Sequence, residues 1–339
     1  MSDIDDIAAI SETFTSVQVP ANVRAGSYLG RRAALRRLSN FALACGAFPS
    51  KGTFVYRAGS KNVTIEYEGR NLQFQALYNP VFNHGYELET ALAIKKLCRG
   101  RGAFWDVGAN WGYFSLLVAS FPEFQGPIAS FEPNPKTFID LSRTIEQAGL
   151  SDRIQPHNLG LGAENCEMVV SESGRFHSGL TQLRKTGSGV KVPVATLDSI
   201  KSERPQFVKI DAEGMELEIL KGATKTLKEA RPFVVFENFL DPKDPSKTHQ
   251  PIEFLRSQDY RIFIPVLRFQ IQDRPVVVSC GHDFNSLFTF DPSPDLCLFE
   301  LVDLERFLLA RQINLLGIPF TRLEEPSVRG IKKIRGGYV

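Results

Sequence analysis

Cysteine is scarce and scattered: the chain has five, Cys45, Cys98, Cys166, Cys280 and Cys297, and no two of them form a CxxC pair. That spacing offers neither a zinc ligand set nor a disulfide framework, and it suits inert thiols in a reducing compartment. No apolar run approaches the roughly 18 residues that cross a bilayer, so no transmembrane segment is expected. A basic leader is missing as well, because the chain opens Met1-Ser2-Asp3-Ile4-Asp5-Asp6. Export is therefore not expected, and the setting these absences point to is cytoplasmic. Charge of one sign is also lacking: 40 basic against 38 acidic side chains leave a formal net charge of +2, which argues against a dedicated nucleic-acid binder. Histidine is rare, and His84, His157, His249 and His282 show no spacing that suggests a metal site.

What is present is an ordinary globular composition, 43% hydrophobic and 23% charged, with no internal repeat or low-complexity block. A chain of 339 residues is long enough for one large α/β domain and a smaller addition. Residues 27–46 interleave Arg31, Arg32, Arg36 and Arg37 with Leu35, Leu38, Phe41 and Leu43, the pattern of a basic amphipathic helix docked on a domain surface. Three strand-like runs follow at 53–57, 63–67 and 72–77, separated by turn residues, and read as an antiparallel meander. Residues 85–98 then place Leu88, Ala91, Leu92, Ile94 and Leu97 on one helical face.

From residue 103 the pattern alternates. Strands are expected at 103–108, 127–132, 153–158, 206–211 and 232–238, with helices at 113–120, at 135–148 and within 215–230. Strands rich in Val, Ile and Phe that alternate with helices predict a parallel, doubly wound sheet covered on both faces. Runs at 260–267, 274–279 and 296–302 extend it as an antiparallel edge. Beyond Asn314 periodicity is weak and the segment reads as a mobile tail. The organisation expected is an N-terminal extension of helix and β-meander (1–83), the α/β domain (84–302), and a C-terminal helix and tail (303–339).

The strongest chemical signal is Phe104-Trp105-Asp106-Val107-Gly108-Ala109-Asn110-Trp111-Gly112, an apolar strand running into a glycine turn that opens a helix. Gly108 and Gly112 let the backbone approach a ligand closely, and Asp106 stands at the strand end, where open α/β sheets bind ligands. Twenty-four residues after Gly108 comes Phe131-Glu132-Pro133-Asn134, in which Glu132 is able to accept hydrogen bonds from both hydroxyls of a ribose. The pair points to an adenosine-bearing ligand. A dinucleotide site calls for G-x-G-x-x-G beneath a pyrophosphate, and this turn lacks that spacing. S-adenosylmethionine has no phosphate, carries a sulfonium and an amino-acid tail, and fits an acidic turn better.

The ordered set of motifs resembles the FkbM family of S-adenosylmethionine-dependent methyltransferases over about residues 84–240. Besides 106–112 and 131–135, it comprises Leu159-Gly160-Leu161-Gly162, Val194-Ala195-Thr196-Leu197-Asp198, Val208-Lys209-Ile210-Asp211-Ala212-Glu213-Gly214-Met215-Glu216, Leu220-Lys221-Gly222-Ala223 and Phe236-Glu237-Asn238. The resemblance implies a Rossmann-like class I methyltransferase fold and methylation of a hydroxyl on a sugar, glycan or secondary metabolite, so the partner expected is a small-molecule or glycan acceptor. It also places Glu87 or Glu89 near the amino group of the cofactor's methionine tail; a solvated helix face explains either residue equally well.

Residue by residue, the cofactor wall is expected from Glu87, Asp106, Val107, Gly108, Ala109, Asn110, Gly112, Glu132, Pro133, Asn134 and Asp211. A hydroxyl nucleophile needs a base or a cation. Asp211 and Glu213 are the candidate bases, and His177, in a stretch between strands, is a further base or substrate contact unless it is a plain surface histidine. Glu216 is expected only to cap the helix that starts near Gly214. Asp211, Glu237 and Asn238, facing one another across neighbouring strands, would resemble the Mg²⁺ site of the catechol type of O-methyltransferase. The competing functions are a protein or lipid methyltransferase, a non-catalytic cofactor-binding scaffold and, more remotely, an NAD-dependent dehydrogenase.

Overall fold

The computed structural model describes residues 3–19, 51–78, 85–171, 182–239, 244–271, 274–278, 294–302 and 312–334. The proposed basic helix at 27–46 and His177 lie outside the described residues.

The N-terminal part holds α1 (Asp3–Thr13), β1 (Phe14–Gln18), β2 (Lys51–Ala58) and β3 (Lys61–Glu68), the three strands pairing antiparallel in the order β1-β2-β3. The third strand of the expected meander is corrected: residues Leu72–Leu77 form a 3-10 helix, and β1 takes the place in the sheet. The alternation of Leu72, Phe74 and Ala76 imitates a strand, but the Asn71 side chain accepts the Gln73 amide and turns the chain at once. Phe74 and Ala76 are then buried against the rest of the core. Lys96 ties this unit to α2 (Leu88–Leu97) through ion pairs with Asp3 and Asp6.

The central sheet contains β4 (Ala103–Val107), β5 (Ile128–Phe131), β6 (Ile154–His157), β11 (Pro205–Ile210), β12 (Phe233–Phe239), β13 (Tyr260–Ile271), β14 (Arg274–Val278), β15 (Asp295–Glu300), β16 (Gln312–Pro319) and β17 (Lys332–Ile334). Its order is β17-β15-β13-β16-β12-β11-β4-β5-β6, with β14 paired to β13. The strands from β6 to β12 are parallel, whereas β16 runs antiparallel to both β12 and β13. This is the expected doubly wound, Rossmann-like sheet with an antiparallel edge. A smaller sheet of β7 (Gly160–Leu161), β8 (Cys166–Ser171), β9 (Gln182–Arg184) and β10 (Val190–Ala195) grows from the loop after β6.

One expectation about the C-terminal segment fails. Residues 312–319 are not a loose tail; they form β16, inserted between β12 and β13. Leu315 and Leu316 are buried on opposite faces of the sheet, so the centre of this run is apolar on both faces instead of alternating, as a strand covered on both sides should be.

Helices cover both faces. On one lie α1, α2, α3 (Tyr113–Ser120) and α4 (Pro135–Gln147), whose apolar residues join Phe104, Phe207, Phe233 and Val235 in a single core. On the other lie α5 (Glu216–Lys221), α6 (Thr224–Glu229) and α7 (Pro245–Ser257), packed on Trp105, Val208, Val234 and Phe236. Because side chains alternate across a strand, these partners assign a face to every position. Asp106, Ser130, Lys209, Asp211, Glu237 and Asn314 all fall on the face toward α2 and α3. Among the described residues no helix is long and apolar enough to cross a membrane, and Cys98, Cys166 and Cys297 are free thiols.

Candidate active site

The order of strands reverses between β4 and β11, the switch point where open α/β sheets bind ligands beyond the strand ends. A cavity of about 220 Å³ opens there, walled by the turn after β4, the tip of β5, the residues after β11, and Glu237 on β12. The turn is held open by backbone conformation. Gly108, Asn110 and Gly112 have φ of +78°, +51° and +96°. At Gly108 a Cβ atom would lie 1.7 Å from the Asp211 carbonyl oxygen, so only glycine allows β4 and β11 to meet at this point.

Glu132 organises the turn. Its two carboxylate oxygens accept the backbone amides of Asn110, at 3.1 Å, and Asn134, at 2.8 Å. Burial pushes its carboxyl from an ordinary 4.5 up to about 7, against the lowering effect of these amide bonds. Each oxygen still has a lone pair for a ligand hydroxyl, and the residue lines the cavity. Asn110 is braced from the other side, since Asn71 Nδ2 donates to its Oδ1 at 3.2 Å and to Asp140 Oδ2 at 3.0 Å. The N-terminal extension thus buttresses the turn, and Gln73 and Ala76 form part of the cavity wall.

The acidic end is more crowded. Asp211, Glu213 and Glu237 bring carboxylate oxygens within 4.8 Å of one another. Cross-strand register sets this up: Ile210 stands opposite Phe236, and Glu237 opposite Asn314. Glu213 sits in the left-handed region at φ +51°, followed by Gly214 at +98°, a strained conformation for a non-glycine residue. Burial and then the Asp211 charge raise its carboxyl to about 7. Asn314 Nδ2 donates to Glu87 Oε2 at 2.7 Å, and burial, followed by the Asp211 charge, holds Glu87 up to about 7. Among these acids lies Lys209, buried, with its Nζ 3.1 Å from Asp211 Oδ2 and 4.8 Å from the centre of the Phe114 ring. Burial alone would lower the ammonium's pKa; Asp211, Asp106 and Glu87 outweigh it and hold it above its ordinary value.

Of the residues expected from sequence, Val107, Gly108, Ala109, Asn110, Glu132, Pro133, Asp211, Glu213 and Glu237 line this cavity. Asp106 does not reach it. Its side chain is buried on the α3 side, accepts the Ser115 hydroxyl at 2.6 Å and is raised by burial, so its place is beneath the wall. Gly112 and Asn134 begin α3 and α4. Glu87 and Glu89 also stop short of the cavity, whereas Tyr86 lines it. Glu216, expected to cap its helix, is instead the first residue of α5, and its carboxylate accepts the amides of Ala212 and Gly214 in the turn before it. The proposed metal set is not assembled: Asn238 follows Glu237 on β12 and points to the opposite face of the sheet, and Glu213 stands third instead. The residue that sequence reasoning passed over is Lys209. The period of two that puts Lys209 and Asp211 on one face was its available signal.

Residues 106–262 match the model of the methyltransferase FkbM domain. Hexuronic acid methyltransferase AglP of Haloferax volcanii is 30% identical over 148 residues, 42% of this chain and 59% of that protein. Methyltransferase 1 of Beauveria bassiana is 27% identical, and the chain spans 56% of its length, so two of these relatives are covered for under two thirds. Methyltransferase sdnD of Sordaria araneosa is 30% identical over 186 residues, 44% of this chain and 70% of that protein. The crystal structure of a methyltransferase FkbM from Methylobacillus flagellatus KT superposes with a TM-score of 0.36 at 20% identity, covering 48% of this chain and 39% of the other. With its motifs, sheet order and switch-point cavity, the chain belongs to the FkbM family of methyltransferases.

Proposed function

We propose that this protein transfers a methyl group from S-adenosylmethionine to a hydroxyl of a sugar, glycan or secondary metabolite. The observation that carries the reading is the pairing of Glu132, buried at the tip of β5, with the open turn at 108–110 in one cavity. The chemistry of the wall fits the cofactor. Glu132 would hold the ribose hydroxyls, the turn would pass under the adenosine and tail, and Asp211, Glu213 and Glu237 outnumber the single ammonium of Lys209, an excess of negative charge that suits a cationic ligand.

When bound, S-adenosylmethionine supplies a methyl group on a sulfonium that leaves as a neutral thioether. The chain's own residues supply position and a proton acceptor. Glu213, half-buried and titrating at about 7, is matched to take the proton of an acceptor hydroxyl near neutral pH. Asp211 is the second candidate, its carboxylate held by the Lys209 ammonium. His177 is a further candidate contact from the segment between β8 and β9. The sugar acceptor is supported by one relative's action on a hexuronic acid.

Calorimetric titration with S-adenosylhomocysteine tests the cofactor, and a radiolabelled methyl-transfer screen over neutral sugars, hexuronic acids and small alcohols tests the acceptor. Micromolar binding is expected. A folded protein that fails to bind S-adenosylhomocysteine overturns the reading; binding with transfer to a peptide or lipid moves the acceptor class alone.

A further inference from the structure

The central sheet buries a cation where a soluble protein seldom places one. Lys209 stands in the middle of its sheet on β11, directly opposite Asp106 of β4 and two residues before Asp211 on the same face. Its side chain is 4% exposed, against 27% for Asp211. Phe114 of α3 covers it from above the sheet, so its ammonium reaches toward the acidic end of the cavity from inside the protein. Asp211, Glu213 and Glu237 supply three carboxylate oxygens at spacings that, without a neighbouring positive charge, would suit a hard divalent ion.

We propose that Lys209 is a positioning residue that serves as the built-in cation of this site: its ammonium takes the place a divalent ion would otherwise fill, and fixes the Asp211 carboxylate at the cavity wall. Three features support it. The ammonium contacts Asp211 directly, at 3.1 Å. The amide of Asp211 is tied to the Val107 carbonyl at 3.0 Å, so backbone and side chain of this residue are both anchored from within the sheet. Finally, the backbone carbonyl of Asp211 packs against Gly108, so a shift of Asp211 would disturb the turn that Glu132 organises. The inference rests on the methyl-transfer reading only for what Asp211 faces; the charge balance stands without it.

Mn²⁺ provides a probe that needs no acceptor. Electron paramagnetic resonance titration of the full-length wild type with Mn²⁺ is expected to show no sub-millimolar site. Lys209→Met should create one, tightening Mn²⁺ binding at least tenfold, and Lys209→Met combined with Asp211→Asn should abolish it. Lys209→Arg keeps the charge and should bind no better than wild type. A folded Lys209→Met that gains no Mn²⁺ affinity overturns the proposal. So does a wild-type site that Asp211→Asn removes, which settles the matter even if Lys209→Met does not fold. S-adenosylhomocysteine affinity of the wild type, measured in parallel, reports on the cofactor reading separately.

Discussion

Replacing Glu132 by glutamine keeps the shape of the side chain and removes its charge, and the structure predicts two separate consequences. The carboxyl titrates at about 7 in the fold against an ordinary 4.5, with burial as the principal cause. As pH rises, the unfolded chain gives up this proton first, so the stabilisation is fully present below 4.5 and is lost as pH climbs through 7. By linkage, the group costs the wild type about 2 kcal/mol of stability between pH 5.5 and pH 8. Glu132→Gln has no proton to lose and escapes that cost, so its stability relative to wild type should rise by about 2 kcal/mol over the same interval, measured by urea denaturation at both values. The second consequence concerns the ligand. Glutamine offers one oxygen where the wild type offers two, to the amides of Asn110 and Asn134, and the lost charged hydrogen bond is worth about 1.5–3 kcal/mol. Affinity for S-adenosylhomocysteine should therefore fall by roughly 10- to 150-fold at pH 8. Parallel pH curves for the two proteins, with unchanged affinity, would refute both the burial argument and the role of Glu132.

Gly108→Ala should lose about 2–5 kcal/mol in thermal or chemical unfolding, because the new Cβ meets the Asp211 carbonyl at 1.7 Å at a φ of +78°; a loss under about 1 kcal/mol would mean the two strands yield more readily than their packing implies. Asn71→Ala removes two hydrogen bonds, to Asn110 and Asp140, and the cap of the 3-10 helix, so it should cost about 1–3 kcal/mol. It should also weaken S-adenosylhomocysteine binding severalfold; unchanged binding would show that the N-terminal extension does not brace the turn. Chelation with EDTA should leave both cofactor affinity and methyl transfer unaltered, since Lys209 already neutralises Asp211, and a loss of turnover restored by Mg²⁺ would contradict this.

Much of the fold was legible because its elements are locally consistent. The apolar strand running into the Gly108 turn and the alternation of strands with helices each state their structure within a few residues. The failures have separate causes, a local side-chain bond at 72–77, burial on both faces at β16 and strand alternation at Asp106. Residues 72–77 carry a strand-like pattern, and a single side-chain bond from Asn71 to the Gln73 amide turns them into a 3-10 helix. The segment beyond Asn314 looked unstructured because it alternates poorly, yet that is how a strand looks when the helix layers on both sides of the sheet leave neither face to solvent. Asp106 was placed in the wall for standing next to the glycine turn, whereas strand alternation sends its side chain to Ser115.

The same alternation explains why the charged layer escaped notice. Asp106 and Lys209 form one cross-strand row and Asp211, Glu237 and Asn314 the next, all on one face, but β4, β11, β12 and β16 are separated by long stretches of sequence. Read singly, each residue is an exposed strand end; only the register makes them neighbours. Glu87 then joins from α2 through Asn314. Burial holds Glu132 and Glu213 of the cavity wall, and Glu87 behind it, near 7, so the cavity wall gains negative charge as pH rises through neutrality. A cationic ligand should bind more tightly across that interval, while the free protein grows less stable. Opposed slopes of affinity and stability between pH 6 and pH 8 follow from one set of buried carboxyls, and parallel slopes would mean that the ligand does not meet them.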